Sequence, residues 1–248
     1  MKDKNKHSFR LTRIKIAILV FLGVLVFTIT LNETSKNNPV ADFKSKVVSK
    51  EEIVHGDTTK KQVIFTFDGG VETQSAEKIL ETLKKYHVKG TFFFTGKMVA
   101  KNPDLVKKII ADGHEIFNHT YDHPHLTELK SADIKTELNN MDQILFATTG
   151  VSSKPYFRAP YGDRDGRVLK AAHEAGYESV YWTVDALDWK EPNGETPEQV
   201  KNIIFSNLKP GTIYLMHLGD NITGEILDEV FAKIENQGYK IVSLTQGL

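Results

Sequence analysis

Two kinds of apolar pattern alternate along this chain, and that alternation constrains its fold more than any other feature of its 248 residues. Gln62-Val63-Ile64-Phe65-Thr66-Phe67 is a short, β-branched apolar run, the pattern of a strand covered on both faces. Residues 73–86 follow, with Ala76, Ile79, Leu80 and Leu83 on one helical stripe. The pair then repeats, with strands at 91–95, 115–117, 156–157, 178–182, 212–216 and 239–242 and helices at 103–111, 131–147, 167–175, 196–208 and 224–236. Pro103 takes the favoured first turn of its helix, and Thr196 is placed as an N-cap. Strands joined through helices are parallel, because the crossover returns the chain to the same end of the sheet. Two arrangements satisfy this α/β pattern: a (β/α) barrel with about seven strands, or an open, doubly wound sheet. No Gly-rich phosphate loop opens the first helix, which counts against the nucleotide-binding form of the open sheet.

The formal net charge is zero and 26% of residues are charged, so nothing in the composition favours nucleic acid as a partner. Nothing in the sequence points to a protein partner either. There is no cysteine, which excludes disulfides, thiolate metal ligands and a cysteine nucleophile. At the N-terminus, Lys2, Lys4, Lys6, Arg10, Arg13 and Lys15 precede an uncharged apolar run over 16–31. The run is a little short of the ~20 residues of a spanning helix, and Lys15 can extend it by snorkelling. The basic flank predicts an inside N-terminus. Thr28-Ile29-Thr30-Leu31-Asn32-Glu33 lacks the small residues of a cleavage site. The expected layout is a cytoplasmic basic segment (1–15), one membrane-spanning anchor (16–31), a polar spacer (32–58) and one domain outside the membrane (59–248). A cleaved signal segment is the alternative, and would give a secreted domain.

In a (β/α) barrel the residues just past the strand ends build the site. Asp68 follows the first predicted strand, His119 and His123 the third, and Arg158 the fourth. Asp185, Asp188 and Trp189 follow the fifth, and His217 ends the sixth. Each alone has an ordinary structural reading, as a turn-capping aspartate or a core tryptophan. Together, at one end of one sheet, they read as a site. His119 and His123, four residues apart, can converge on one metal ion, and imidazole suits zinc, iron or nickel.

In this order, five segments resemble the motifs of the polysaccharide deacetylase family, also called the NodB-homology or carbohydrate esterase 4 family. They are Thr66-Phe67-Asp68-Gly69-Gly70, His119-Thr120-Tyr121-Asp122-His123, Arg158-Ala159-Pro160-Tyr161, Asp185-Ala186-Leu187-Asp188-Trp189 and Leu215-Met216-His217. The resemblance spans about 60–245 and implies a distorted (β/α) barrel. It also implies metal-dependent removal of N-acetyl groups from amino sugars of an extracellular glycan, with peptidoglycan as the expected target. The metal would be zinc, with cobalt, nickel or iron as alternatives. By the same resemblance His119 and His123 are ligands and Asp68 is the base, with Arg158 as its partner. Tyr161 supplies an oxyanion-binding N–H, and His217 is the proton donor, oriented by Asp188. Trp189 and Leu215 wall a pocket for the acetyl methyl.

One position departs from the family. The first motif normally carries two consecutive aspartates, and the second completes the metal site. Here that residue is Gly69. Three outcomes follow: a metal held by two histidines and water; a substitute carboxylate from Glu72, Asp122 or Asp68; or a glycan-binding pseudoenzyme. An amide hydrolase with a non-glycan substrate is a further class that the residues do not separate from the first. If the missing aspartate is the only defect, Gly69→Asp should tighten metal binding.

Overall fold

The computed structural model describes residues 52–248. The basic segment, the expected membrane-spanning segment 16–31 and most of the spacer lie outside the described residues. Among the described residues, no helix is long and apolar enough to cross a membrane.

The described residues form an α/β fold around one parallel sheet. Its strands are β1 (Gln62–Gly69), β2 (Thr91–Phe94), β3 (Glu115–Asn118), β4 (Tyr156–Phe157), β5 (Glu178–Ser179), β6 (Val184–Asp185), β7 (Ile213–His217) and β8 (Lys240–Val242). They run in the order β5-β4-β3-β2-β1-β7-β6, with β8 also paired to β1, and every pairing is parallel. The helices are α1 (Ala76–Lys85), α2 (Gly96–Lys101), α3 (Pro103–Ala111), α4 (Ser131–Thr149), α5 (Gly166–Glu174), α6 (Pro197–Ser206), α7 (Ile222–Asn236) and α8 (Leu244–Gly247). Thr196 caps α6 as expected, within a full capping box closed by Gln199.

Alternation along the strands sorts the side chains into two layers. Phe65 and Phe67 of β1 and Tyr214 and Met216 of β7 face the helices, in the large core with Ile79, Leu83, Val230 and Phe231. The other face of the same strands carries Ile64, Thr66 and Asp68 beside Ile213, Leu215 and His217. Register pairs Thr66 with Leu215 and Asp68 with His217. Ile64, Phe93, Phe117, Val180, Ile213 and Leu244 form an apolar floor on this inner side. The polar residues sit above it, at the C-terminal strand ends.

Two expectations change. The fifth strand, predicted as 178–182, is broken: β5 stops at Ser179, and β6 is a separate two-residue strand on β7. The reason lies in residues assigned to the spacer. Ile53 donates its N–H to Ser179 (2.9 Å) and accepts from the Tyr181 N–H (2.7 Å), while Thr183 Oγ1 donates to the Val54 carbonyl (2.6 Å). The chain at 53–54 thus occupies the seam between β5 and β6. Gly56 and Asp57 donate to the Gly211 and Gly247 carbonyls, each at 2.8 Å. Arg164 grips Glu52 through two hydrogen bonds of 2.7 and 2.6 Å. Residues 52–58 therefore pack as part of the domain. A chain starting at residue 59 should be less stable than one starting at residue 52 by about 2–4 kcal/mol, read by urea denaturation. Equal midpoints would show that this segment adds nothing to the sheet.

Candidate active site

The site begins with a buried ion pair. Asp68 lies near the end of β1, and its Oδ1 accepts from Arg158 Nη1 at 2.6 Å. The guanidinium has no exposed surface, and its other N–H groups are also used. Nη1 donates to Thr66 Oγ1 (2.9 Å), Nε to the Val180 carbonyl (3.3 Å) and Nη2 to the Tyr181 carbonyl (2.9 Å). The guanidinium carbon stands 4.1 Å from the centre of the Phe93 ring. Burial lowers the Arg158 pKa, and the Asp68 charge opposes that effect.

Arg158 also aims a histidine. Its carbonyl accepts from His119 Nδ1 at 2.9 Å, so Nδ1 carries the proton and Nε2 presents a lone pair. His119 Nε2 faces His123 Nε2 at 3.1 Å and Asp68 Oδ2 at 3.5 Å. Burial keeps both imidazoles neutral in the ordinary pH range. The His119 pKa is lowered, and that of His123 falls to about 4 through burial and then through the neighbouring His119.

The two histidines do not share a helix. They sit on a loop whose backbone turns left-handed at Thr120 (φ 65°) and at His123 (φ 64°). Such conformations cost a non-glycine residue energy and need support from around them. Asn118, fully buried at the end of β3, gives it: its Oδ1 accepts the Thr120 N–H (2.9 Å), while its Nδ2 donates to Leu138, Ser153 and Tyr177. Glu137 Oε2 accepts the N–H groups of Tyr121 and Asp122 at 3.0 and 2.8 Å. Sequence reasoning missed Asn118 and Glu137, although an asparagine directly before the histidine pair was a readable signal.

Opposite stands the second charge pair. His217 Nδ1 donates to Asp188 Oδ1 (2.8 Å). Asp188 is fully buried and also accepts the Trp189 N–H (2.9 Å), the His217 N–H (2.6 Å) and the Thr223 hydroxyl (2.6 Å). Burial alone would discharge His217, but the Asp188 charge and hydrogen bond outweigh it and raise the imidazole to about 9. Burial likewise pushes the Asp188 pKa upward, and its donors and the His217 charge bring it below the usual range. Two left-handed residues flank this region as well, Tyr161 (φ 58°) and Leu187 (φ 61°). The Tyr161 ring is 62% exposed and stacks on His125 at 4.2 Å. Trp189 is 46% exposed, with its indole N–H on Asp185 Oδ2 at 3.3 Å. Leu215 is buried on the inner face of β7, one turn of the pleat from His217.

The donor chemistry suits a divalent cation at the histidine pair. Two nitrogens bound to a tetrahedral zinc stand about 3.3 Å apart, close to the 3.1 Å seen between the two Nε2 atoms. Among the described residues, however, no three His, Cys, Asp or Glu side chains gather into a metal cluster. The substitutes nearest in sequence are engaged elsewhere. Glu72 is exposed and faces Lys101 at 3.6 Å, and Asp122 is exposed and paired with Lys97 at 2.9 Å. Asp68 Oδ2 is the carboxylate oxygen that approaches the pair. At Gly69 an added Cβ would stand 2.7 Å from Cδ1 of the buried Phe94 ring, on the helix-facing side of β1.

Known proteins resemble this chain in sequence and in fold. The sequence pattern of the polysaccharide deacetylase family matches residues 55–180. The peptidoglycan-N-acetylmuramic acid deacetylase PdaA of Bacillus subtilis is 35% identical over 189 residues, 76% of this chain and 72% of that protein. Its solved structure, described as a family 4 carbohydrate esterase, superposes with a TM-score of 0.76 at 32% identity, covering 85% of this chain and 89% of that one. A peptidoglycan-N-acetylglucosamine deacetylase of Bacillus cereus is 34% identical over 193 residues, 76% of this chain and 69% of that protein. BA3943 of Bacillus anthracis, described as a pseudoenzyme of the same family, superposes with a TM-score of 0.74 at 33% identity, over 80% of this chain and 69% of that one. A mutant of it is described as having restored enzymatic activity.

Two outcomes follow from this geometry. Gly69→Asp should destabilise the chain by about 1–3 kcal/mol, because its Cβ overlaps Phe94. It should not tighten zinc binding by calorimetry unless Phe94 is shortened as well. A gain in affinity from Gly69→Asp alone would show that the Phe94 ring yields freely. The second outcome concerns acid. His123 is held neutral below its ordinary value of 6.5, so its contribution to stability is present above pH 6.5 and lost as pH falls towards 4. In chelator, the melting temperature of His123→Gln should fall less over that window than that of the unsubstituted chain. Parallel curves would place the His123 titration outside it.

Proposed function

The chain belongs to the polysaccharide deacetylase family, and on that premise we propose that it is a metal-dependent N-deacetylase of cell-wall glycan. Peptidoglycan is the substrate class that its relatives suggest, and the distorted (β/α) barrel implied by the family is the frame. The observation that carries the reading is the pairing of Asp68 with His217 on adjacent strands, each backed by its own buried counter-ion. That pairing supports reading Asp68 as the proton acceptor and His217 as the proton donor.

His119 and His123 would hold a divalent metal (zinc, or cobalt, nickel or iron), which would supply Lewis acidity and lower the pKa of the attacking water. The protein's own groups do the rest. Arg158 occupies Asp68 Oδ1, which leaves Oδ2 to take the proton of the attacking water. The Tyr161 N–H, set by its left-handed backbone, is the donor assigned to the developing oxyanion. His217 is charged at neutral pH, and its Nδ1 is held by Asp188, so Nε2 carries the proton for the leaving amine. Asp188 keeps that ring oriented and balances its charge. Leu215 and the exposed face of Trp189 wall the space for the acetyl methyl.

An anchor at 16–31 would hold the domain outside the membrane, against an N-acetylated wall polymer. Gly69 supports a second reading, a glycan-binding pseudoenzyme, and the likeness to BA3943 supports it too. Acetate release separates the two. The full chain, loaded with zinc, cobalt or nickel, should release acetate from N-acetylglucosamine or N-acetylmuramic oligomers. His217→Ala should cut turnover about 10²–10⁴-fold with metal content unchanged. Oligosaccharide binding that ignores metal, with no acetate from any substrate, would establish the pseudoenzyme.

A further inference from the structure

Behind the His217–Asp188 pair lies a second carboxylate that the chemistry above does not use. Asp220, in the turn between β7 and α7, is 4% exposed. Its Oδ1 accepts the Thr223 N–H at 2.7 Å, and its backbone carbonyl accepts the Ser75 hydroxyl. Its Oδ2 is buried and has no hydrogen-bond partner among the described residues. Thr223 in turn donates its hydroxyl to Asp188 Oδ2 at 2.6 Å. One threonine therefore links two buried carboxylates, and a single imidazole lies beside them. Like charges so placed do not both ionise without cost.

The hydrogen bonds divide the charge between them. Asp188 accepts from the His217 ring, the His217 N–H, the Trp189 N–H and the Thr223 hydroxyl, whereas among the described residues the Asp220 side chain accepts from Thr223 alone. Asp188 is therefore the anion, and Asp220 holds a proton on its unpartnered oxygen. We propose that Asp220 is a positioning residue for the proton donor: it holds Thr223 against Asp188 and, by gaining or losing its own proton, sets the negative charge that His217 faces. The inference rests on reading His217 as the donor.

Burial, and then the Asp188 charge, push the Asp220 carboxyl up to about 7, so its ionisation falls within the working range of a surface enzyme. Above that pH a second negative charge tightens the hold of His217 on its proton and slows donation. Other charged groups border the turn: Glu191, which accepts the Asn221 N–H at 2.9 Å, Glu72 beside Gly219 and Lys78 beside Gly224. His217 itself faces Asp68 and Asp185 as well as Asp188, and the two site histidines lie across from it.

A purely structural role is also available, since a side chain accepting from the third residue onward caps the start of α7. Asparagine and serine cap as well as aspartate does. They keep that role and remove the charge. Ring-labelled full-length chain, titrated by NMR over roughly pH 5 to 10, should report His217 against Asp220→Asn and Asp220→Ser, with His217→Gln identifying the resonance. We expect the His217 midpoint to drop by about half a pH unit or more in both variants. The added inflection near neutrality should vanish with it. An unchanged midpoint and curve, or the loss of folded structure in both variants, would reduce Asp220 to a cap and overturn the proposal. The readout needs no turnover, so it stands or falls apart from acetate release.

Discussion

The Arg158–Asp68 ion pair is the contact on which the rest of the site depends. A guanidinium with no exposed surface is costly to bury, and the cost is offset only if its charge and donors are all met. Here Asp68 and Thr66 of β1, and the carbonyls of Val180 and Tyr181 past β5, meet them. The same residue's carbonyl fixes the tautomer of His119. One side chain and its own backbone thus tie together β1, the loop after β3 and the break between β5 and β6. Loss of either partner would leave a buried charge uncompensated, which costs about 3–5 kcal/mol in such settings.

Two opposite electrostatic environments sit at the ends of β3 and β7, with β2 and β1 between those strands. On the β3 side, burial keeps two imidazoles neutral, the state that suits an imidazole to a metal. On the β7 side, a carboxylate with four donors keeps a third imidazole charged. Residue identity does not distinguish these histidines. The difference lies behind the ring: the Arg158 carbonyl at His119 and the Asp188 carboxylate at His217. The left-handed residues Thr120, His123, Tyr161 and Leu187 cluster around these rings, where the loops must turn sharply to aim them.

Position 69 shows how packing limits chemistry. Asp68 points to the inner face and Gly69 to the helix-facing core, because neighbouring residues of a strand alternate. Phe94, the register partner of Gly69 on β2, fills the space that a side chain there would need. The glycine is therefore part of a packed pair. A change toward the usual family residue meets steric cost before it meets metal.

The sequence alone determined the alternating strand-and-helix architecture and which candidate residues stand at the strand ends. Strand and helix periodicities are local, so Gln62–Phe67, the α1 stripe and the Thr196 cap could be read without any knowledge of distant residues. Asp68, His119, His123, Arg158 and His217 were legible because each closes or follows a readable strand, and Asp188 because its segment resembles a family motif. Only the tertiary structure decided the rest. A two-residue strand such as β6 has no period to detect, and the seam that residues 53–54 fill exists only once β5 and β6 are in place. Asn118, Glu137 and Thr223 make hydrogen bonds to residues far away in the chain, as Thr223 does on Asp188 across 35 positions, and the Asp220 side chain matters only through that link. Which imidazole is neutral, which is charged and what stands opposite Gly69 depend on burial and partners, and those are properties of the assembled sheet rather than of any segment.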